Sequence, residues 1–448
     1  MARRPPTSSE FVWRPRVGWH SNDRWISEGP PRQSVCVTSP PFIRLDSTLS
    51  AAGHPRWNAA PSPAELFISC DGATQHTTLK SLTPTLEHLE REWADPLDAL
   101  AWLDADPAGL LSGPGDRWVG YLSYDLGRLF ESIPCVAMDD LGLPLFRLTL
   151  HRGAASDDSF SAVSTQNSAL PSPHSTFPAS TFSRTEYEAA VARAIEYIRA
   201  GDIFQVNLSQ RFSVSTVQSA QAIYQRLMER SPAHYGGLLD YGDFALLSNS
   251  PELFLRVTHE ADGRRRILTR PIKGTRPRSA GMEMELEDSL KDQAELNMIV
   301  DLERNDLGRV CEIGSVRVTQ PRTIEAHPTV FHGVASIEGG LRREVSLIDL
   351  LRAVFPGGSI TGAPKIRAMQ IIDELEPVRR GPYCGAIGYI GAGGEMEFNV
   401  AIRTMILQNG LAYIPVGGGI VADSTPAGEY AETLVKARAM FEALGVSI

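Results

Sequence analysis

Cysteine is scarce and scattered. Cys36, Cys70, Cys135, Cys311 and Cys384 make five, an odd number, and no CxxC pair occurs. That pattern argues against a disulfide framework or a cysteine-built zinc site and fits a reducing, cytoplasmic setting. No apolar run approaches the roughly 18 residues of a membrane-spanning helix. Nor does an apolar segment follow the basic residues of MARRPPTSSEFVWRPRVGW, so that stretch does not read as a secretory signal. Positive charge is in deficit, with a formal net charge of −10 over 448 residues. A general polyanion partner is disfavoured, while a small anion in a locally basic groove remains compatible. The Gly-rich stretches lack the GKS or GKT ending of a P-loop. What remains is ordinary globular composition, 42% hydrophobic, with length for a large core.

Composition shifts once, in Arg152–Ser180, where Ser, Ala and Pro dominate; residues 152–182 read as a linker or long exposed loop. Residues 1–35 form an extension to which the sequence assigns no role, and 36–151 form a β-leaning part in which RWVGYLSYDLGRLFE predicts a buried strand and a turn. After the linker, Ser183 and Glu186 form a capping-box pattern that starts a helix, and Gly201 ends it. The next run, IFQVNLSQRFSV, alternates as a strand does. Phe204, Val206 and Leu208 are expected on one face, and Gln205, Asn207 and Ser209 on the other. Helical patterns cover Glu283–Asp306, Leu347–Phe355, Ala363–Glu374 and Ala431–Ala443. Gly-rich strands lie between and after them, and strands outnumber crossover helices. The expectation is an α+β body with antiparallel sheet rather than a regular parallel α/β fold.

Several residues could carry chemistry. PIKGTRPR sets a single amine, Lys273, between Ile272 and Gly274 with Arg270 and Arg276 nearby. Glu295 lies in one helix; Glu429, Glu432 and Lys436 lie in the last. Glu432 and Lys436 have the spacing of an everyday surface helix pair. Carboxylates from two helices brought together would instead suit Mg²⁺, which takes one or two protein carboxylates, water and substrate oxygens. PGGSITGAPKIRAM offers close backbone approach, the Thr361 hydroxyl and a helix N-terminus for an anion. Tyr389, Arg403 and Lys436 read either as carboxylate clamps or as a packed aromatic and surface charges. His332 alone reads as a structural histidine.

Taken in order, GDIFQVNLSQRF, NSPELFL, PIKGTRPR, AELNMIVDLERNDLGRV, PGGSITGAPKIRAMQIIDELEP, YCGAIGYIG, FNVAIRT, GGGIVADS and EYAETLVKARA resemble the chorismate-utilising enzymes. That family includes anthranilate synthase component I, aminodeoxychorismate synthase component I, and the isochorismate and salicylate synthases. The resemblance is dense over 183–448, which it marks as the chorismate-binding catalytic part, and thinner before it. It implies a large α/β sandwich of antiparallel sheets with outer helices. It also implies Mg²⁺ on Glu295 and Glu432, and a general acid at Glu252 near the C4 hydroxyl, with His332 near the ring. Substrate contacts would come from Gln205, Thr275, Thr361, Gly362, Tyr389, Arg403, Gly418 and Lys436.

Two positions sort the subfamilies. Isochorismate and salicylate synthases carry a water-activating lysine where this chain has Gln205, and a neutral amide cannot deprotonate water. Anthranilate synthases typically read PIAGT, whereas aminodeoxychorismate synthases read PIKGT. The resemblance is therefore closest to the latter, with Lys273 as the amine that adds to C2 of chorismate. Alternatives are an anthranilate synthase component I and a catalytically silent chorismate-binding regulatory subunit. No cysteine nucleophile in a Gly-rich elbow is found, so ammonia is expected from a separate class I glutamine amidotransferase subunit. FIRLDSTLS, Phe42–Ser50, departs from the LLES-like segment of the family's tryptophan pocket.

Overall fold

The computed structural model describes residues 41–46, 58–59, 63–113, 115–153 and 178–447. The expected extension 1–35, residues 154–177 of the linker and the end of FIRLDSTLS lie outside the described residues. Two antiparallel sheets carry the described fold. The larger has twelve strands and runs from Ile272–Pro277 through Val330–Leu341, Arg265–Arg270, Leu253–His259, Met396–Val400, Ala386–Gly391, Arg117–Leu122, Phe146–His151, Leu66–Cys70 and Thr77–Ser81 to Arg91–Trp93. Arg317–Ala326 pairs with Val330–Leu341 beside this path. The smaller, with nine, runs from Gly362–Ala363 through Gln205–Ser215, Leu411–Ile420, Thr404–Gln408, Ala245–Ser250, Tyr235–Asp240 and Phe42–Asp46 to Asn58–Ala59, and Ala179–Ser180 pairs with Gln205–Ser215.

Side-chain alternation sorts residues into layers. In Arg117–Leu122, Trp118 and Leu122 pack into the outer core of the larger sheet, against the helices Pro96–Ala105, Leu290–Gly308 and Leu347–Val354. Val119 and Tyr121 point the other way and meet Ile43, Leu239, Leu246 and Ile406 of the smaller sheet. A strand buried on both faces needs apolar residues at every position, as WVGYL provides. The smaller sheet is covered outside by Ala220–Arg230 and Pro426–Leu444, through Ile223, Leu227, Ala437 and Phe441. The result is a helix–sheet–sheet–helix sandwich.

Local differences from the sequence reading have physical causes. The expected single helix Glu283–Asp306 is two, Met282–Asp288 and Leu290–Gly308. Ser289 breaks it by capping the second, its hydroxyl accepting from the Asp292 N–H at 3.2 Å. The helix expected from Ala363 starts at Lys365, because Gly362 and Ala363 leave it to pair with Val206 and Gln205. The last helix starts earlier than expected, at Pro426, where a missing N–H costs nothing. The helix Arg184–Ala200 has both arms of its capping box and Gly201 at φ 84°. In the strand after it Val206 and Leu208 share one face as expected, and Phe204 departs because the strand begins at Gln205. Phe204 is 72% exposed, while Gln205 is fully buried along with Val206 and Leu208. The strand lies between two others, and helices cover the face that carries Val206 and Leu208.

One buried guanidinium ties these parts together. Arg380 donates to both carboxylate oxygens of Glu376, at 2.9 and 2.7 Å, and to the carbonyls of Ile360 at 2.9 Å and Asn207 at 2.8 Å. Glu376 in turn accepts from the Ser209 N–H at 2.8 Å, and Tyr124 lies under the guanidinium at 4.7 Å. Removing one partner of a buried ion pair leaves the other charge unpaired and typically costs about 3–5 kcal/mol. Arg380→Ala is expected to lower unfolding stability by that order in denaturant titration. Pairing it with Glu376→Leu should recover part of the loss; a single variant as stable as the parent would reject the clamp.

Candidate active site

The site forms where the chain twice crosses from one sheet to the other. Pro251 and Glu252 link Ala245–Ser250 of the smaller sheet to Leu253–His259 of the larger. Ala401–Arg403 link Met396–Val400 back to Thr404–Gln408. The crossings are stitched side by side: Val400 N–H donates to the Glu252 carbonyl at 3.0 Å, and Asn249 N–H to that of Arg403 at 3.0 Å. Arg403 turns with φ 51°, a conformation most side chains avoid. Glu252 is thereby buried at 4% exposure. Burial raises its carboxyl above the ordinary range, against the Ser359 side-chain hydrogen bond, the charge of Lys273 and the Ile272 N–H, which favour the ionised form. A carboxyl so placed holds its proton longer than a surface glutamate.

Lys273 reaches the same place from the edge of the larger sheet. Its ammonium Nζ donates to the Ser359 carbonyl at 3.2 Å. Burial pulls its pKa below the ordinary lysine range, while Glu295 and Glu252 oppose the shift and Lys436 adds to it. Lys273 and Gln205 converge on the bare backbone of Gly419. A Cβ there would stand 2.6 Å from Gln205 Nε2 and 3.6 Å from Lys273 Nζ. Both polar atoms of the Gln205 amide are buried without a hydrogen-bond partner. An unpaired buried amide costs stability, so it marks a place prepared for a polar ligand. Gly362, at φ 143°, closes the wall; a Cβ on it would fall 2.1 Å from the Gln205 carbonyl oxygen.

Carboxylates from two helices lie in one another's electrostatic field. Glu295 of Leu290–Gly308 is raised by burial, with Lys273 and Lys291 opposing and the charges of Asp292 and Glu432 adding. Glu429, also raised by burial, accepts from Ser424 Oγ at 2.6 Å through one oxygen, while its other oxygen is buried without a partner. Burial acts to raise Glu432 too, but the Lys436 ammonium at 2.7 Å, with Lys291 and Lys273, brings it below the ordinary range. Lys436 also donates to the Gly417 carbonyl at 2.9 Å. Gly418 leaves the room between them: a Cβ there would meet Glu429 Oε2 at 3.0 Å, Glu432 Oε1 at 3.5 Å and Lys436 Nζ at 3.7 Å. No group of three or more His, Cys, Asp or Glu among the described residues closes tightly enough to hold a metal by protein ligands alone. The orphaned Glu429 oxygen, and the Glu432 charge that raises both Glu295 and Glu429, fit a hard dication completed by water and substrate oxygens.

Other expected residues take more specific places. His332 faces Thr275 across two strands, Nδ1 within 2.9 Å of Thr275 Oγ1. Burial, His327 and Arg403 push its pKa down to about 3. It is therefore a neutral imidazole, and Thr275 orients it. The Thr361 hydroxyl is spent on the Gly357 carbonyl at 2.9 Å, and its own carbonyl accepts from the Asn207 N–H at 2.8 Å. Burial depresses the Arg403 guanidinium, and Tyr383 and Glu432 act against that. Tyr389 lies elsewhere, in the layer between the sheets, with the Arg117 guanidinium 4.1 Å from its ring centroid. The tyrosine in the field of Arg403 is Tyr383 of the same RGPYCGAIGY motif, whose hydroxyl bonds the Ser209 side chain. Ser359 and Tyr383 are the residues the sequence reading missed, and Glu429 was noted there without a role. The glutamate three residues before Glu432, on one helix face, was the available signal.

Replacing Glu295, Glu429 or Glu432 by Gln removes a hard anionic ligand. Each variant is expected to raise the Mg²⁺ concentration for half-maximal activity and for half-maximal thermal protection by about tenfold or more. Titrations that overlay the parent would remove that residue from the metal site.

Comparison with known proteins follows this geometry. Residues 53–442 match the family model described as chorismate binding enzyme. Anthranilate synthase component 1 of Thermus thermophilus is 42% identical over 360 residues, 73% of this chain and 77% of that protein. Aminodeoxychorismate synthase component 1 of Salmonella typhimurium is 40% identical over 342 residues, 71% of this chain and 74% of that one. The crystal structure of anthranilate synthase component I from Streptococcus pneumoniae superposes with a TM-score of 0.70 at 28% identity, covering 92% of this chain and 94% of the other. The two-sheet sandwich, the convergent carboxylates and the match over most of the sequence agree: the chain belongs to the chorismate binding enzyme family.

Proposed function

We propose that this chain is the aminating component of an aminodeoxychorismate synthase, which converts chorismate and ammonia to 4-amino-4-deoxychorismate on the way to 4-aminobenzoate and folate. The observation that carries the reading is the enclosed Lys273 amine, held on the Ser359 carbonyl and in the field of the buried Glu252 carboxyl. A lysine at its ordinary pKa of about 10.4 is protonated at pH 7 and has no lone pair to offer. Burial favours the free base, and free-base lysine is a nucleophile.

Written through, Lys273 Nζ bonds to C2 of chorismate as the ring double bonds shift and the C4 hydroxyl departs. Glu252 gives that hydroxyl its proton, so it leaves as water. Ammonia then bonds to C4, the electrons shift back, and the C2–Nζ bond breaks to return the lysine. A proton from the new amine restores Glu252. Arg403, Lys436 and the backbone at Thr361–Gly362 hold the substrate carboxylates, and the neutral His332 faces the ring. Mg²⁺ held by Glu295, Glu429 and Glu432 would neutralise a substrate carboxylate and fix the ring. Gln205 has no basic nitrogen, which disfavours water as the nucleophile at C2. Ammonia comes from a separate class I glutamine amidotransferase subunit, in keeping with the component 1 names of both groups of relatives.

The second reading is anthranilate synthesis. It is favoured by the 42% identity to a Thermus thermophilus anthranilate synthase component 1, against 40% to an aminodeoxychorismate synthase component 1. Identity does not separate the two; the amine at position 273 supports the first reading. Incubation with chorismate, Mg²⁺ and ammonium should yield aminodeoxychorismate by mass and chromatography, and anthranilate would overturn the reading. Lys273→Ala should lose C4 amination, with trace anthranilate permitted because ammonia can then reach C2 directly; full activity with unchanged product would exclude the covalent step. Glutamine-dependent turnover should require an added amidotransferase subunit, and glutamine use by the purified single chain would contradict the partner.

A further inference from the structure

Behind Tyr383 lies a small cavity of about 20 Å³ that the proposed chemistry does not use. The charged side chains on its wall are the guanidiniums of Arg211, Arg379 and Arg380 and the carboxylate of Glu376. Arg380 and Glu376 satisfy one another through two hydrogen bonds. Arg211 is held on three sides and is 7% exposed. Its Nη2 donates to Asp140, its guanidinium lies 5.0 Å from the Tyr413 ring centroid, and its backbone N–H donates to Thr181 Oγ1 at 3.0 Å. Its Nη1 is nevertheless buried with no hydrogen-bond partner among the described residues, and so is Nε of Arg379. Arg379 is fixed through its backbone, whose N–H donates to the Met138 carbonyl at 2.9 Å. Its Nη1 stands 3.6 Å from Asp139, too far for a hydrogen bond.

This wall has more donors than acceptors. Both Glu376 oxygens accept from Arg380, and one also accepts from the Ser209 N–H at 2.8 Å. Gln210 Oε1 accepts from Ser180 Oγ at 2.9 Å, and Thr181 Oγ1 is taken by the Arg211 N–H. No side-chain oxygen on the wall is left buried and unpaired, whereas two guanidinium N–H donors are. Buried donors of a cation left without an acceptor cost stability. A water would bring two further protons to a wall already short of acceptors; an anion brings none. The charge distribution agrees. The guanidiniums line the interior, while Asp139 and Asp140 stand at the rim with side chains 26% and 32% exposed, where solvent screens them. The volume admits one small guest and excludes a phosphate or an organic carboxylate. We propose that this cavity binds a single monatomic anion, chloride or bromide, on Arg211 Nη1 and Arg379 Nε. The ion joins the strand Gln205–Ser215 to the segment that follows the helix Lys365–Leu375, beside the Tyr383 hydroxyl on the Ser209 side chain.

Thermal unfolding of the full chain reads this site without substrate, so the test holds whichever product the enzyme makes. At constant ionic strength, replacing gluconate by chloride or bromide should raise the unfolding midpoint and saturate, because a ligand bound only by the folded state stabilises it. Sulfate, too large for the cavity, should give no saturable rise. Crystals soaked in bromide should show an anomalous peak in contact with Arg211 Nη1 and Arg379 Nε. Arg211→Gln and Arg379→Met each remove one donor and should raise the half-effective chloride concentration by about tenfold or more. Arg379→Met, which leaves the Arg211–Asp140 pair in place, carries the test if Arg211→Gln does not fold. Equal midpoints in chloride and gluconate would overturn the proposal and leave the cavity to water. A chloride response unchanged in the variants, or matched by sulfate, would overturn it as a general salt effect. A bromide peak without any effect in solution would be binding at crystal concentration only, and would overturn it too.

Discussion

The site depends on one constraint: a buried guanidinium that must be satisfied on all sides. Arg380 bonds the Ile360 carbonyl in the glycine loop, the Asn207 carbonyl on the central strand and both oxygens of Glu376 at the end of the helix Lys365–Leu375. Two of these segments carry site groups: Ser359, Thr361 and Gly362 on the loop, and Gln205 on the strand. A buried arginine tolerates little displacement, since each lost bond exposes desolvated charge. The loop backbone that receives the Lys273 amine is thus fixed to the strand that presents Gln205. Tyr124 under the guanidinium extends the constraint to the N-terminal part of the chain.

Around that anchor the charges are set against their ordinary preferences. Lys273 is pulled toward the free base, Glu252 and Glu295 toward the acid, and His332 is held neutral. Burial is the first cause in each case, because a closed pocket penalises the charged form of any group. Glu432 is the exception, since Lys436 sits on it. Among Glu295, Glu429 and Glu432, only Glu432 is held toward its charged form. Such separation of titration behaviour is a frequent mark of catalytic sites.

Much of this was legible in the sequence where the signal is local. The capping box at Ser183, the strand after Gly201 and the helix of Glu432 follow from spacing and caps. PIKGT and the last helix gave Lys273, Glu432 and Lys436 as residues, and the order of motifs gave the family. What was not legible depends on tertiary placement. Alternation could not tell that Gln205 would be fully buried, or that the strand would begin at Gln205 and leave Phe204 in solvent. RGPYCGAIGY holds two tyrosines, and only the point where the chain enters the strand decides that Tyr383 falls toward Arg403 and Tyr389 between the sheets.

The strand Arg117–Leu122 is paired on one side with Phe146–His151, near in sequence, and on the other with Ala386–Gly391. In the completed sheet it lies at the centre, apolar on both faces. As the polypeptide leaves the ribosome, its second neighbour does not yet exist, and most of the chain must be made before that edge can close. Pairings between residues so far apart in sequence form slowly, and an unpaired apolar strand is adhesive while it waits. The pairing with Ala386–Gly391 therefore leaves the newborn N-terminal portion with an open apolar edge that closes only when the C-terminal strands arrive.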